Sequence, residues 1–250
     1  MAVQKNLAEE FRIFARKVFL SKETIENFLL NATPGQVGAV VKMLKEEDEL
    51  RQIRKKEKLF RKAKFPAIKS FEDYDFTQVS FPDGYTQEDI KELGFIEKAQ
   101  DFVFHGQTGR GKTHLAIAIG VACIEKGLEV RFFTAAELVL GLVRAKEKGR
   151  LKDMLQDIEK SRLLILDELG YVPLDIDGAR LLFQVISNCY EKRTLIVTTN
   201  IEFSKWGTVF GDDKMASAII DRIVHHGRLI EFEGTSHRMD KALMLGRQNV

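Results

Sequence analysis

The segment Gly106-Gln107-Thr108-Gly109-Arg110-Gly111-Lys112-Thr113 constrains this chain more than any other. Its spacing is G-x-x-x-x-G-K-[ST]. It lies between an apolar run, Phe102-Val103-Phe104, and a helical stretch that continues from His114. The glycines let the backbone curl so that successive N–H groups point into one concavity. The helix behind the loop adds the partial positive charge of its amino end. Such a turn is a cradle for phosphates. Lys112 brings a positive charge to the β and γ phosphates, and the Thr113 hydroxyl is an oxygen ligand for Mg2+. The candidate nucleotide-binding residues are therefore Gly106, Gln107, Thr108, Gly109, Arg110, Gly111, Lys112, Thr113 and His114.

A loop of this kind needs a sheet to hold it, and the pattern from about residue 100 onward supplies one. Short apolar runs at 101–105, 129–133, 162–166, 194–198 and 228–232 alternate with helical stretches near 112–126, 135–148, 177–192 and 214–224. Gly127 suits the end of the first helix. Thr134 and Glu137 form a capping box at the start of the second. Strands alternating with helices predict an α/β fold, a parallel sheet flanked by helices. The uninterrupted runs Leu163-Leu164-Ile165-Leu166 and Leu195-Ile196-Val197 predict central strands buried on both faces.

Functional groups in open α/β sheets collect at the carboxyl ends of strands. Leu166 is followed there by Asp167-Glu168, and the 194–198 run is followed by Thr199-Asn200. Asp167 is a candidate for the Mg2+ shell, beside Thr113. Glu168 is a candidate to polarise the water that attacks the γ phosphate, with Asn200 orienting that water. Lys112, Glu168 and Asn200 thus form the candidate catalytic set within one subunit.

The front of the chain is different. Residues 1–65 carry 15 Lys/Arg against 9 Asp/Glu, whereas residues 66–250 carry 24 against 28. Leu7, Phe11, Phe14 and Val18 fall at helical spacing. A second helix is expected to open at Thr33-Pro34-Gly35-Gln36, with Thr33 as cap, Pro34 at the first position and Gln36 closing a capping box. It runs into a stretch, 51–64, with eight basic residues and one acid, and ends before Phe65-Pro66. The predicted organisation is a basic helical domain over 1–65, a linker near 65–72, and a nucleotide-binding domain over 66–250. The basic helix is open to three readings: duplex phosphates, an acidic partner surface, or a solvated face.

Composition narrows the class further. With 44% apolar and 30% charged residues, a collagen-like, mucin-like or wholly disordered chain is excluded. No run approaches 18 apolar residues, and the first residues lack the apolar core of a secretory signal. Cys123 and Cys189 form no metal-ligand spacing. A reducing, cytoplasmic compartment is the expectation. His105, His225, His226, Cys123, Cys189 and Trp206 read as structural.

With the glycine loop, Asp167-Glu168 and Asn200 in that order, the chain resembles the AAA+ ATPases. Gly111-Lys112-Thr113-His114-Leu115-Ala116 and Asp167-Glu168-Leu169-Gly170 narrow the resemblance to the DnaC/DnaA-like initiator and loader branch. The IstB-like helper ATPases of bacterial insertion sequences are the most similar. Phe71-Glu72-Asp73-Tyr74-Asp75-Phe76, Asp167-Glu168-Leu169-Gly170-Tyr171-Val172-Pro173, Thr198-Thr199-Asn200 and Ala218-Ile219-Ile220-Asp221-Arg222 carry that likeness. It spans about residues 66–245 and is looser over 1–65. The resemblance implies an ATP- and Mg2+-dependent ATPase that binds DNA, self-assembles and assists a partner transposase. It also implies that Arg222 is an arginine finger on a neighbouring subunit's nucleotide, the alternative being a surface salt bridge with Asp221 or a nearby acid. Arg238 resembles a second sensor arginine. Only 28 residues follow Arg222, so a reduced C-terminal lid is expected.

Initiator-branch ATPases place an extra helical element facing nucleic acid near the basic residues Arg144, Lys146, Lys148, Arg150 and Lys152. These five are candidate DNA contacts, or else an exposed helix end that Gly149 interrupts. Tyr171 is a further DNA candidate, with an apolar loop anchor as the alternative. Three other functions compete with the transposition helper. They are a DnaC-like replicative helicase loader, an ATP-holding switch without turnover, and a small-molecule kinase.

Overall fold

The structure is a computed structural model and describes residues 2–236. The chain divides into two compact units, residues 1–58 and 59–250, so the division falls inside a helix rather than at Phe65-Pro66.

The first unit is helical: α1 (Ala2–Lys17), α2 (Lys22–Asn31) and most of α3 (Pro34–Ala63). Phe11 and Ala15 on α1, Ile25 on α2, and Val37, Val41 and Leu44 on α3 are its core. The spacings of four and three residues put each set on one helix face. Thr33 and Gln36 form the expected capping box: the Thr33 amide donates to Gln36 Oε1 at 2.8 Å and the Gln36 amide to Thr33 Oγ1 at 3.4 Å. The separate helix α2 is an addition to the sequence reading. Phe19, with φ +66°, turns the chain out of α1, and the Ser21 hydroxyl caps α2 by accepting from the Thr24 amide. Paired Arg12–Glu26 bonds, both 2.8 Å, tie α1 to α2. In α3 most of the basic run stays exposed, while Leu59 and Ala63 turn inward and join the core of the second unit.

The second unit is built on one six-stranded sheet. The strands are β1 (Val79–Ser80), β2 (Asp101–His105), β3 (Val130–Thr134), β4 (Leu163–Leu169), β5 (Thr194–Thr199) and β6 (Gly227–Phe232). Their order is β1-β6-β2-β5-β4-β3. All neighbours are parallel except the short β1, which runs antiparallel to β6. The helices are α4 (Gln87–Glu92), α5 (Gly94–Glu97), α6 (Lys112–Glu125), α7 (Ala135–Glu147), α8 (Leu151–Glu159), α9 (Ile176–Cys189), α10 (Trp206–Phe210) and α11 (Asp213–His226).

Alternation along the central strands decides which layer each residue joins. Leu163 and Ile165 of β4 pack on the α6 side, together with Phe102 and Phe104 of β2. Leu164 and Leu166 face the other way, onto α7, α9 and α11, together with Val103 and Val197. Both faces are covered, so the central strands read as continuous apolar runs. The expected strands and helices are present, with one extension and one break. β4 continues through Asp167 and Glu168 to Leu169, with an irregularity in its pairing after Leu166. The basic stretch after α7 is broken: Gly149 takes φ +65° and α8 begins afresh at Leu151.

The segment expected as a linker has no regular structure over most of its length, yet it is not a free tether. Its Phe65 and Phe71, with Tyr74 and Phe76 just beyond it, pack on the α6-side core. Phe65 lies against the Phe132 ring, and Tyr74 against Phe76 and His114.

Candidate active site

The carboxyl ends of β2, β4 and β5 meet the amino end of α6, and a cleft of about 760 Å³ opens there. It is lined by the glycine loop from Thr108 to Thr113, by Glu168, Thr198 and Tyr171, and by the 66–75 segment. The loop has this shape because two of its glycines meet backbone or ring atoms directly. At Gly106, φ is +151° and a Cβ would stand 2.4 Å from the Phe232 carbonyl oxygen. At Gly111, the left-handed residue that opens α6, a Cβ would stand 3.0 Å from the Tyr74 hydroxyl. A side chain at either position would push the loop off β6 or off Tyr74.

Lys112 is buried, 7% exposed. Its ammonium donates to the Gly106 and Gln107 carbonyls at 2.6 and 2.8 Å. Burying an ammonium in this way needs such partners, and it holds the charge inside the curl of the loop. Thr113 donates to the Asp167 carboxylate, with 2.9 and 3.1 Å to its two oxygens. The residues expected to share Mg2+ are thus in direct contact. Both present hard oxygen donors, the ligand type that Mg2+ takes, and Asp167 is buried, 4% exposed.

Thr198 is a site residue that the sequence reading passed over. Its hydroxyl donates to Asp167 Oδ1 at 2.5 Å and accepts from the Glu168 amide at 3.0 Å. One side chain on β5 therefore fixes both acids of β4. Period-two alternation contained the signal. Val197 faces α9 and α11, so Thr198 faces α6, as does Asp167 after Leu166. Glu168 itself is exposed into the cleft and has φ +60°, a conformation that costs a glutamate about 1 kcal/mol or more.

The remaining expected residues are spread more widely. Arg110 donates to the Phe232 carbonyl at 3.0 Å, which anchors the loop to β6 while its side of the loop lines the cleft. Gln107 accepts from Arg110 at 3.4 Å. Thr108 and Tyr171 share a hydroxyl–hydroxyl bond of 2.5 Å, so Tyr171 reaches back to the phosphate loop. His114 bonds the Ser70 carbonyl at 3.2 Å and meets the Tyr74 ring. Burial among these groups pushes the Tyr74 hydroxyl well above the usual tyrosine range, so it stays a neutral wall of the cleft. Ser70 belongs to the segment read as a linker and Tyr74 lies just beyond it, and only the folded chain brings them against α6 and the loop.

Asn200 is exposed and lines a hollow beside the cleft with Gly106, Gln107, Arg110, Lys205 and Glu231. Arg222 lies outside the cleft lining, partly buried on α11. It donates to the Ala218 carbonyl at 2.8 Å, and its guanidinium sits 5.0 Å from the centre of the Phe183 ring. Arg144, Lys146 and Lys148 are exposed at the end of α7, and Arg150 and Lys152 at the start of α8. Lys146 pairs with Asp177 at 3.5 Å. Arg238 lies outside the described residues.

The family described as IstB-like ATP binding protein matches residues 31–244, most of the chain. The chain belongs to this family. Among its relatives is the protein of insertion sequence IS21 of Pseudomonas aeruginosa, named for ATP binding. The two are 37% identical over 206 residues, 81% of this chain and 77% of the relative. The corresponding protein of insertion sequence IS232 of Bacillus thuringiensis is also 37% identical, over 86% of each chain. Solved structures agree on the fold at lower identity. DnaI has a TM-score of 0.53 at 22% identity, covering 68% of this chain and 90% of its own. The DnaC helicase loader has 0.51 at 23%, covering 58% and 85%. DnaA bound to AMPPCP and single-stranded DNA has 0.52 at 20%, covering 65% and 51%. Family membership supports an ATP-binding role for this chain. Among the described residues no helix is long and apolar enough to cross a membrane.

Proposed function

We propose that this chain is a Mg2+-dependent ATPase that assembles on duplex DNA and helps a cognate transposase in DNA transposition. One observation carries the reading: Lys112, Thr113, Glu168 and Thr198 line a single cleft, and the Thr113 and Thr198 hydroxyls both donate to the buried Asp167. Lys112 and the loop amides bind the phosphates. Thr113 and Asp167 hold Mg2+, which when bound offsets charge on the phosphates. Glu168 faces the cleft and accepts the proton of the attacking water, while Thr198 keeps its backbone in place. Asn200, just past the end of β5, orients that water. Arg222 serves the nucleotide of a neighbouring copy, a reading supported by its place outside its own subunit's cleft. Such a finger supplies about 10³ to 10⁵ in rate. The exposed Arg144, Lys146, Lys148, Arg150 and Lys152, with Tyr171, touch DNA. The basic helical domain recruits the partner. Relatives borne on insertion sequences support the transposition role over that of a helicase loader.

Fluorescence anisotropy on a duplex and a single strand of equal length, with ATP, ADP or neither, tests the reading. ATP-dependent preference for the duplex supports it. Preference for the single strand favours a DnaC-like loader instead, and no binding overturns the DNA assignment. Five phosphate contacts would cost about 10² to 10³ in affinity between 50 and 200 mM salt. Mixing Arg222→Ala with Glu168→Gln subunits tests the finger: activity recovered in the mixture supports action in trans, and none recovered removes it.

A further inference from the structure

At the amino end of the parallel sheet, away from the cleft, Glu191, His225 and His226 come together. Each offers a ligand atom, a carboxylate oxygen or a ring nitrogen, and these atoms all lie within 4.8 Å of one another. Glu191 Oε1 and His226 Nε2 are 2.8 Å apart. The two imidazole rings stand edge to face at 4.8 Å. They lie at the last turn of α11, and Glu191 lies two residues beyond the end of α9.

Two further details set this cluster apart from a chance meeting of surface residues. Glu191 has φ +56°, the left-handed position after a helix where glycine is the usual occupant. A glutamate there carries backbone strain, which a glycine would relieve. What the strained position provides is a carboxylate aimed at His226. The Tyr190 hydroxyl lies 2.8 Å from His225 Nδ1. In metal sites the nitrogen that does not bind the ion is normally held by just such a partner, which fixes the ring and its tautomer. The bond to Tyr190 leaves His225 Nε2 as the free donor.

We propose that Glu191, His225 and His226 bind one divalent transition-metal ion of the zinc class, linking the end of α9 to the end of α11. Two imidazoles and a carboxylate suit such ions, whereas Mg2+ prefers oxygen ligands alone. A tetrahedral site with ligands 2.0–2.1 Å from the ion has them about 3.3 Å apart, with water completing the shell. Reaching it takes rotation of surface side chains rather than movement of the backbone. The ion stands between Glu191 and His226 in place of their hydrogen bond. The site also bears on Arg222, which is one turn before His226 on α11 and rests on Phe183 of α9. An ion joining the two helix ends restrains the pair of helices that carries this arginine.

The test is a Co2+ titration of the untagged, metal-free full-length protein, followed by visible absorption, with Zn2+ as competitor. One equivalent of Co2+ is expected to produce the intense bands of a tetrahedral site, and Zn2+ to remove them. His225→Ala and His226→Ala are expected to abolish the bands. Tyr190→Phe is expected to weaken binding by about 10- to 100-fold through loss of the ring's outer partner. Glu191→Gly guards against a folding artefact, since it removes a ligand while relieving backbone strain. It is expected to melt no lower than the parent without metal and to lose the rise in Tm that Zn2+ gives the parent. Absence of tetrahedral bands, bands unchanged in His226→Ala, or an equal Zn2+-induced rise in Glu191→Gly would each overturn the site.

Discussion

Asp167 at the carboxyl end of β4 and Asp101 at the amino end of β2 are buried alike, 4% and 3% exposed. Their surroundings differ. Asp167 accepts from two hydroxyls, those of Thr113 and Thr198, which themselves line the cleft. Asp101 accepts from one amide, that of Leu195 at 2.7 Å, and burial pushes its carboxyl up to about 7 despite that bond and the nearby His226. Hydroxyl partners can turn toward a cation, because a hydroxyl offers a lone pair as well as a proton. An amide locked in a sheet cannot. The carboxyl end is equipped to exchange partners, and the amino end to hold strands in register.

If that contrast is right, changes at the carboxyl end strike chemistry first. Glu168→Gln is expected to lower ATP turnover by about 10² to 10⁴, the worth of a positioned general base, while ATP still binds. A phosphate-release assay beside a nucleotide-binding titration checks it, and normal turnover would remove Glu168 from its role. Lys112→Ala comes next. Losing a charged donor to phosphate costs about 3 kcal/mol, or roughly 100-fold in ATP affinity. Unchanged affinity would mean that the loop does not cradle phosphates.

Changes that touch the buried acids are smaller and separate the two ends. Thr198→Val keeps the shape but removes the hydroxyl shared by Asp167 and the Glu168 amide. It is expected to cost about 1–3 kcal/mol of stability in urea unfolding and to slow turnover. Lost stability with unchanged turnover would make Thr198 a support of the fold alone. Asp101→Asn tests the other end. A folded value near 7, above the ordinary 3.8, means the folded state favours the protonated acid. The wild type therefore keeps its full share of stability below about pH 4 and loses it as the pH rises toward 7. The neutral variant escapes that loss. Its margin over the wild type is expected to be smallest near pH 4 and to grow by up to about 4 kcal/mol by pH 8, with ATP turnover unaffected. A margin that does not change with pH would show that Asp101 stays charged in the fold.

The local features of this chain were legible because their causes are local. A glycine loop followed by Lys112-Thr113 places its own amides. The Thr33–Gln36 and Thr134–Glu137 boxes close within one turn. Apolar runs over 163–166 and 195–197 can bury both faces only inside a sheet. Even the contact between Thr113 and Asp167, 54 residues apart, was readable, because parallel strands bring their carboxyl ends to one edge. Gly149 likewise carried the signal that α7 would break.

Other features belong to the tertiary structure. Nothing in Pro66–Asp75 states that it will wall the cleft, since its aromatic residues gain meaning only once His114 of α6 and Phe76 stand beside them. Thr198 became a site residue because position at a strand end decides which way each side chain points. Glu191 and His226 are 35 residues apart, and His225 and His226 read as structural until α9 and α11 ended side by side. The sequence by itself determined the loop, the caps and the strands, where each residue answers to its near neighbours. The tertiary structure decided which distant side chains share a proton, a cleft or an ion, because packing of the layers alone sets those distances.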